Sequence, residues 1–390
     1  NKPPEQSTPA PGQKQMNEKP TIVILPFQNI GQNKNDDYLA DGLTSDLTTN
    51  LSKLSGLWVT ASNAAQVYKD RQPTPGTIKE QFNARYVLSG EVNKHDNKIR
   101  IKAHLTDVDN GNILWAERYD RQLTDLFAVQ DEVTRKILQS LSVTLTKEEK
   151  KRLSSRFTDN LLAYEYYQRG QALLSRRTPQ DNAAARDLYK QAVELDSNFG
   201  RAYSAIAMTY AIGYNRQWPA DVEDPLEEAL SLAEHALRLN EHLAESYWVT
   251  GFVYGTLYKP DEASEMLNKA LLLSPNYSDA YAMLAFIRIG TGKAEQAIQD
   301  AKTALYLNPA GGFLYNHQLG KAYYFLGDHD NAIKYLELSN SSNPAYIDGI
   351  YYLAAEYAAR DEIESASWML QEAESANPGL DAKTWLENHV

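Results

Sequence analysis

The side chains that most often carry catalysis or bind metal ions are sparse and poorly grouped in this chain. None of the 390 residues is a cysteine, which excludes thiolate metal sites and cysteine nucleophiles. The seven histidines include no pair at the i, i+4 spacing that places two metal ligands on one face of a helix. The sequence also contains neither a glycine-rich phosphate-binding loop nor a Gly-x-Ser-x-Gly motif. We therefore predict a protein that is not an enzyme, with no catalytic residues, no metal and no cofactor.

Two polar segments are the strongest remaining candidates for chemistry. Asp41 and Gly42 lie inside a helical pattern, where a nucleophile can be imagined. Trp115 to Arg121 combines aromatic and charged side chains. Because isolated residues are weak signals, we interpret Asp41 as a structural acid on a helix surface or at a cap. We interpret the second segment as sheet packing with a surface ion pair.

Charge is unevenly distributed along the chain, whose formal net charge is −12. Through Arg156 there are 22 Lys and Arg against 19 Asp and Glu, and after it there are 17 against 32. Nucleic-acid binding usually requires a basic surface, so we expect this chain to bind no nucleic acid. The acidic half suits neutral or cationic partners, although acidic side chains also simply solvate helix surfaces.

Proline recurs at a regular interval in the second half of the sequence. Pro275, Pro309, Pro344 and Pro378 are separated by 34, 35 and 34 residues, a period typical of stacked supersecondary units. Small residues recur five and twelve positions before each proline, as expected for pairs of helices in close contact. The pattern resembles the tetratricopeptide repeat (TPR), a family of peptide-binding scaffolds. We predict six TPR-like helix pairs over residues 156–379 and a capping helix over 380–390.

A different pattern precedes the repeats. Residues 1–20 are rich in Pro, Gln, Lys and Asn and predict a flexible linker. Residues 21–155 begin with apolar strands that alternate with amphipathic helices, continue as a three-stranded meander and end in another helix. The predicted fold class is therefore multidomain, with a small α/β (α+β) domain followed by an all-α solenoid of TPR units.

Four separated motifs make this first domain resemble a known family. They are Ile24-Leu25-Pro26-Phe27, Tyr38 to Leu43, Arg85 to Gly90, and Trp115 to Glu132. In the same order they are similar to the TolB-like amino-terminal domain, over residues 21 to about 145. That family commonly joins the domain to TPRs and places it after a class III nucleotide cyclase domain. In CadC-like regulators it follows a winged-helix DNA-binding domain and one membrane helix.

This resemblance implies a periplasmic location and an anchor in the inner membrane. The sequence contains no run of 18 apolar residues, so we expect any membrane contact to come from a helix upstream of residue 1. Residues 1–20 would then be a juxtamembrane linker. The first residues, Asn1-Lys2-Pro3-Pro4, are interpreted as the start of a processed chain or of an excised fragment.

The TPR resemblance also implies where a partner would bind. In TPRs the first helix of each unit lines a concave groove through its positions 2, 5, 9 and 12. An insertion of about ten residues in the second repeat adds Trp218 to the residues obtained by this register. The candidate partner- or ligand-binding residues are Arg201, Met208, Trp218, Trp248, Phe252, Phe286, His317, Lys321, Tyr324 and Tyr351. Aromatic residues are typical of binding hot spots, but they also pack between helices, and both interpretations stay open here.

The leading functional hypothesis is a ligand-sensing or protein-binding ectodomain of an inner-membrane signalling protein. Its partner would be a protein, a peptide or a small-molecule signal, bound in the repeat groove or at the interface of the two domains. The alternative is a constitutive periplasmic scaffold for the assembly of envelope proteins. A homodimer is also compatible with the sequence.

Overall fold

The chain folds into two compact units along its sequence. The structure, a computed structural model, describes residues 19–69, 71, 73–153 and 157–376. Residues 1–277 form the first unit and residues 278–390 the second. A small sheet-containing domain is followed along the chain by TPR-like helices, which confirms the predicted fold class. The linker predicted over 1–20 lies outside the described residues except for Lys19 and Pro20, and the capping helix predicted over 380–390 lies wholly outside them.

The sheet-containing domain is a single mixed sheet with helices on its faces. In its described residues the strand order is β3-β1-β4-β5-β6, and the short β2 also pairs with β4. Strand β1 is parallel to β3 and β4, whereas β4, β5 and β6 form an antiparallel meander. The strands are β1 (Thr21–Ile24), β2 (Gln28–Asn29), β3 (Trp58–Val59), β4 (Tyr86–His95), β5 (Lys98–Asp107) and β6 (Ile113–Gln122). The helices are α1 (Asp37–Ser52), α2 (Ser62–Ala65), α3 (Pro75–Phe82), α4 (Leu126–Ser140) and α5 (Lys147–Leu153).

The apolar patterns of the strands follow from what covers each face of the sheet. Ile22 of β1 packs in a core with the leucines of α1 and the apolar face of α4, while Val23 packs on the opposite face with α2 and α3. Because β1 is covered on both faces, its sequence is continuously apolar. Strand β5 instead buries Ile101 and exposes Lys102, since its second face meets solvent.

Two segments of this domain are fixed by local hydrogen bonds. Helix α3 begins at Pro75. The hydroxyl oxygen of Thr74 accepts the N–H of Thr77, and proline is well tolerated in the first turn. The charged run Lys147 to Arg152 is itself helical, and Glu149 accepts hydrogen bonds from the N–H and hydroxyl of Ser55.

Twelve helices in the described residues after 160 form six consecutive pairs, here called repeats 1 to 6, each with an A helix and a B helix. In the first unit they are α6 (Leu161–Leu174) with α7 (Pro179–Leu195), α8 (Gly200–Asn215) with α9 (Pro225–Leu239), and α10 (Ala244–Thr256) with α11 (Pro260–Leu273). In the second unit they are α12 (Ser278–Gly290) with α13 (Ala294–Leu307), α14 (Phe313–Leu326) with α15 (His329–Ser342), and α16 (Ile347–Ala359) with α17 (Ile363–Ala376).

Small residues allow the two helices of a repeat to approach closely. A Cβ atom added at Gly251 would lie 2.8 Å from Leu267 Cγ, and one added at Gly320 would lie 2.6 Å from Leu336 Cγ. Both leucines are fully buried. Gly251 and Gly320 therefore lie at the helix–helix contacts of repeats 3 and 5, because larger side chains there would overlap the partner helix.

Candidate binding surface

A buried carboxylate joins the sheet-containing domain to the first repeats. Asp46 of α1 has only 2% of its surface exposed. It accepts hydrogen bonds from the Tyr164 hydroxyl at 2.7 Å, from Gln130 Nε2 at 3.1 Å and from an Arg201 nitrogen at 2.8 Å. These donors come from three different helices, α6, α4 and α8. A buried charge is tolerated only when it is paired, and Asp46 meets this condition through residues distant in sequence.

The guanidinium of Arg201 is enclosed on several sides. Besides Asp46, it lies 3.3 Å from a carboxylate oxygen of Glu245 on α10. Its central carbon lies 4.1 Å from the ring centroid of Phe157 and 5.2 Å from that of Tyr167. Charge pairing and cation–π contacts together hold this arginine in the interior. We call Asp46, Gln130, Tyr164, Arg201 and Glu245 the junction network.

Lys53 adds a second buried cation next to the junction network. Its Nζ donates to Asn50 Oδ1 at 3.0 Å and lies 4.6 Å from the Phe157 ring centroid. Burial lowers the pKa of Lys53 to about 8, against the opposing attraction of Glu245. The charged form of this lysine is thus disfavoured in the folded protein.

A single asparagine at the end of repeat 3 makes a second attachment. The side-chain amide of Asn276 donates to the carbonyl oxygens of Leu54 and Leu57 at 2.9 and 3.1 Å. Its Oδ1 accepts the N–H of Val59 at 3.2 Å. Asn276 thereby provides hydrogen-bond partners for backbone groups of β3 and of the loop between α1 and β3.

The Asp41-Gly42 pair has a structural explanation. A Cβ atom at position 42 would lie 2.5 Å from the Tyr164 hydroxyl and 2.9 Å from Gln168 Cδ. Glycine therefore lets α1 lie directly against α6. Asp41 forms an ion pair with Lys69 at 2.7 Å. No catalytic arrangement involves either residue in the described part of the chain.

Sequence reasoning overlooked Asp46, although one signal was available. Asp46 follows Leu39 by seven residues and Leu43 by three, so it lies on the apolar stripe of α1. A charged residue on such a stripe needs a buried partner, which predicts a contact but not its identity. Nothing comparable marks Asn276, which lies in a loop.

The predicted binding residues of the first unit are mostly engaged within the chain. Arg201 and Met208 are 6% and 7% exposed, so their side chains face the interior of the first unit, and their role as partner contacts stays a prediction. Arg201 binds the sheet-containing domain, and Met208 packs in the core of repeats 1 to 3. Trp248 is half-buried, and its ring centroid lies 5.8 Å from those of Phe252 and Tyr277.

Trp218 lies in the predicted insertion between α8 and α9. Its side chain is half-buried, and the guanidinium of Arg216 lies 5.6 Å from its ring centroid. The backbone N–H of Trp218 donates to the Gly213 carbonyl at 2.8 Å. The insertion is attached to repeat 1 through Asp221, which pairs with Arg186 and Lys190 of α7. Burial opposes ionisation of Asp221, but the hydrogen bond from Lys190 and the charge of Arg186 lower its pKa to about 2.

In the second unit the A helices of repeats 4, 5 and 6 contact one another in sequence. They carry large apolar side chains that are open to solvent. Phe286 of α12 is 49% exposed, and Leu314 and Phe325 of α14 are 40% and 51% exposed. Aromatic side chains of this kind are typical of binding hot spots when they face a partner.

Three predicted residues, His317, Lys321 and Tyr324, meet where α14 packs on α16. The ammonium of Lys321 lies 4.8 Å from the ring centroid of Tyr352, and Tyr324 packs edge-on against the same ring at 5.2 Å. His317 packs edge-on against Tyr352 and Tyr346. We call His317, Lys321, Tyr324, Tyr346, Asp348 and Tyr352 the repeat 5–6 cluster.

The members of this cluster differ in exposure. Lys321 and Tyr324 are half-buried and reach the surface, whereas His317 is 2% exposed. Tyr351 of α16, which is not part of the cluster, is 5% exposed. The side chains of His317 and Tyr351 support the packing of α14 and α16, and their role as partner contacts stays a prediction. Burial, followed by the charge of Lys321, lowers the pKa of His317 to about 4, against the opposing effect of Asp348. Burial also lowers the pKa of Lys321.

Comparison with protein families identifies both parts of the chain. Residues 18–137 match the second domain of HilA/YgeH-like transcriptional regulators. Residues 278–310 and 315–346 match the tetratricopeptide repeat. The first part of the chain is thus similar to a HilA/YgeH-like regulator domain, and part of the helical region is similar to TPR repeats. The finer resemblance to TolB-like domains and to cyclase-linked proteins stays a prediction.

A curated relative extends across much of this chain. It is the protein named "Putative adenylate cyclase 3" of Rhizobium meliloti (strain 1021), 35% identical over 249 residues. The match covers 64% of this chain but 42% of the relative, so this chain spans about two fifths of the length of the protein it matches.

Solved structures share the helical architecture. The APC/C hetero-tetramer Cut9–Hcn1 is 21% identical, with 67% of this chain and 52% of that chain covered and a TM-score of 0.50. PilF of Pseudomonas aeruginosa is 16% identical, with 59% and 98% covered and a TM-score of 0.47. YrrB, described as a TPR protein with an unusual peptide-binding site, is 23% identical, with 51% and 97% covered and a TM-score of 0.39. Identities at this level show the fold alone.

Proposed function

We propose that this chain is a non-enzymatic module of a bacterial inner-membrane signalling protein and that a protein or peptide partner binds the second unit. The proposed surface comprises Phe286, Leu314, Lys321, Tyr324 and Phe325. The observation that carries the proposal is the exposure of large apolar side chains on the adjacent A helices α12 and α14, the second of which also carries the half-buried Lys321. Such a surface offers apolar contact area with one positive charge to orient an acidic or polar group.

The engagement of the first unit supports this choice of surface. At position 2 of the A helices in repeats 2 and 3, Arg201 and Glu245 contribute to the junction network. A partner at these positions would have to displace a buried ion pair, which is costly.

A nucleotide-cyclase activity is suggested only by the name of one relative. Phosphoryl-transfer chemistry generally relies on metal ions held by carboxylates. The described residues contain no group of three or more His, Asp or Glu side chains placed to hold a metal ion. We therefore propose that any such activity belongs to a part of these proteins outside the shared segment.

The proposed location is the periplasm, on the carboxyl-terminal side of a membrane anchor. Support comes from the HilA/YgeH-like match, which is to the second domain of a transcriptional regulator and so is consistent with an effector domain elsewhere. Among the described helices, none is long and apolar enough to cross a bilayer.

The test uses the full-length protein in its own bacterium, with the output of its effector as the readout. Lys321→Glu and Phe286→Ala should each reduce the response at least tenfold, because they remove the central charge and one exposed ring. A photo-crosslinking amino acid at Tyr324 should form an adduct with the partner. The matched controls are Lys334→Glu and Leu338→Ala on the B helix α15. They reverse one positive charge and remove one exposed apolar side chain away from the A helices.

Folded Lys321→Glu and Phe286→Ala variants with normal output and no adduct at position 324 would contradict the proposal. Full activity of this chain when exported alone would instead support the constitutive scaffold. A sensor requires the effector in the same protein, because a ligand shifts an equilibrium only by its different affinity for the two signalling states.

A further inference from the structure

Strand β6 forms one edge of the sheet and pairs with a single strand among the described residues. Strand β6 pairs with β5 on one side and lies at the end of the sheet order. The N–H of Leu123 donates to Asn97 on the β5 side. Backbone direction alternates along a strand, so the N–H groups of Ala116, Arg118 and Asp120 point away from the sheet. Among the described residues these three N–H groups have no hydrogen-bond partner.

The charges on β6 are arranged antisymmetrically about Tyr119. The order is Glu117, Arg118, Tyr119, Asp120, Arg121. When this strand is placed antiparallel to a copy of itself with Tyr119 opposite Tyr119, Arg118 faces Asp120 of the copy and Glu117 faces Arg121. By two-fold symmetry each pair occurs twice. Opposite charges directly across an antiparallel pair are favourable.

Neighbouring registers lack this complementarity. A two-fold axis at Arg118 places two arginines opposite each other, and an axis at Asp120 does the same with two aspartates. Directly opposed like charges are destabilising. The even-numbered residues also carry the outward backbone groups, so the register about Tyr119 pairs Arg118 with Asp120 in the hydrogen-bonded positions.

The side chains of Arg118 and Asp120 are available for this arrangement, whereas Glu117 already accepts hydrogen bonds from the Trp115 indole N–H and the Tyr119 hydroxyl. The side chains of Arg118 and Asp120 are 57% and 47% exposed. In the single chain Arg118 pairs with Asp120 of its own strand at 2.6 Å. Exposed ion pairs of this kind contribute little to stability. Replacing the pair within one chain by pairs between two chains therefore costs little free energy.

We propose that two copies of this chain associate through β6, antiparallel and centred on Tyr119, to form one continuous sheet. This interface follows from the open edge and its charge pattern and does not depend on the proposed partner surface. It joins two regulator domains side by side, whereas the A helices of repeats 4 to 6 are not needed for it.

The register can be tested by cross-linking because the chain has no native cysteine. Hydrogen-bonded antiparallel pairs have Cα atoms about 5.5 Å apart, within the range that a disulfide bridges. Under mild oxidation, an equal mixture of the Arg118→Cys and Asp120→Cys variants of this 390-residue chain should form covalent dimers of one chain of each kind. Each variant alone should form at least tenfold less. Preferential linking of Arg118→Cys to itself would overturn the proposal.

Sedimentation equilibrium over a concentration series tests the association itself. Ala116→Pro removes an outward N–H and should weaken dimerisation at least tenfold, while edge strands tolerate such a proline. Ala116→Ser is the matched control and should dimerise normally. Arg118→Asp alone should also weaken the dimer, and Arg118→Asp with Asp120→Arg should restore it. A parent chain that stays monomeric throughout, or a dimer unaffected by a folded Ala116→Pro variant, would refute the interface.

Discussion

At the scale of single residues, the buried charges of this protein are held by partners distant in sequence. Asp46 and Arg201 are separated by 155 positions and meet at 2.8 Å. Removing one partner of a buried pair leaves an uncompensated charge, at a cost of about 3–5 kcal/mol. The contribution of each residue therefore depends on whether its partner is present, which single-residue patterns do not reveal.

Lys53 provides a prediction about pH. Its pKa is about 8 in the folded chain, against the ordinary value of 10.5 that applies to the unfolded chain. Between pH 8 and pH 10.5 the unfolded chain therefore binds more protons than the folded chain. The free energy of unfolding should therefore gain a contribution from Lys53 as pH rises from 8 to 10.5. Lys53→Met removes the disfavoured charge and should stabilise the protein at pH 7 by on the order of 2 kcal/mol.

Denaturant unfolding of the parent and Lys53→Met chains at pH 7 and pH 10 would measure this effect. The advantage of the variant should shrink at the higher pH. Lys98→Met, at an exposed position of β5, is the control and should change stability little at either pH. An Lys53→Met chain that is less stable than the parent at pH 7 would contradict this account.

His317 provides a prediction for stability at acidic pH. Its pKa of about 4 lies below the ordinary value of 6.5, so the unfolded chain binds more protons between pH 4 and 6.5. The parent should lose stability as pH falls through this window, by on the order of 2 kcal/mol from this group. His317→Gln should lose less between pH 7 and 4.5 in thermal unfolding, whereas His95→Gln, whose side chain is 89% exposed, should follow the parent. Parallel pH profiles for His317→Gln and the parent would disprove the assignment.

At the scale of elements, the distance between α1 and α6 is set by one glycine. Gly42 lies where the Tyr164 hydroxyl and the Gln168 side chain meet α1. Tyr164 is also bonded to Asp46, so it has little freedom to move aside. The helix–helix contact and the junction network consequently depend on each other.

Gly42→Ala should therefore destabilise the protein by about 1–3 kcal/mol, because overpacking forces α1 and α6 apart. Gly76→Ala is the matched control, since its nearest neighbour would be Thr74 Oγ1 at 3.8 Å. That change should be neutral or stabilise by up to about 1 kcal/mol, through the better helix propensity of alanine. Chemical denaturation compares the two, and equal effects would show that the close approach of α1 and α6 is not limiting.

At the scale of the whole molecule, the sheet-containing domain and repeats 1 to 3 are expected to unfold together. The junction network and Asn276 connect them through buried hydrogen bonds. Arg201→Met should lower hydrogen-exchange protection in both α1 and α8 at the same denaturant concentration, by about 3–5 kcal/mol. Arg216→Met, on the exposed end of the same repeat, should leave protection unchanged.

Hydrogen exchange measured by mass spectrometry separates this prediction from independent folding. Loss of protection in α8 alone, with α1 unaffected, would show that the two parts are not coupled. A parent chain in which α1 exchanges well before α8 would show the same. Either result would also mean that a partner could displace the junction network at little cost.

Much of the architecture was predictable from local patterns. The spacing of Pro275, Pro309 and Pro344 identified the repeats, and the alternation around Ile101 and Lys102 identified a strand with one exposed face. These signals are readable because periodicity reports directly on which face is buried. The fate of the predicted binding residues was less predictable. Arg201 and Trp248 lie at repeat positions that are equivalent to those of the predicted residues in repeats 4 to 6. The side chain of Arg201 nevertheless pairs with Asp46 of the sheet-containing domain.

The sequence by itself determined the order of domains, the repeat period, the absence of cysteine chemistry and the charge pattern of β6, because each is a property of neighbouring or regularly spaced residues. Only the tertiary structure decided that Asp46 pairs with Arg201, that Asn276 completes the loop before β3, and that β6 is an open edge. Those features depend on which distant surfaces meet. Such contacts are selected by packing and desolvation over the whole first unit, and no local pattern encodes them.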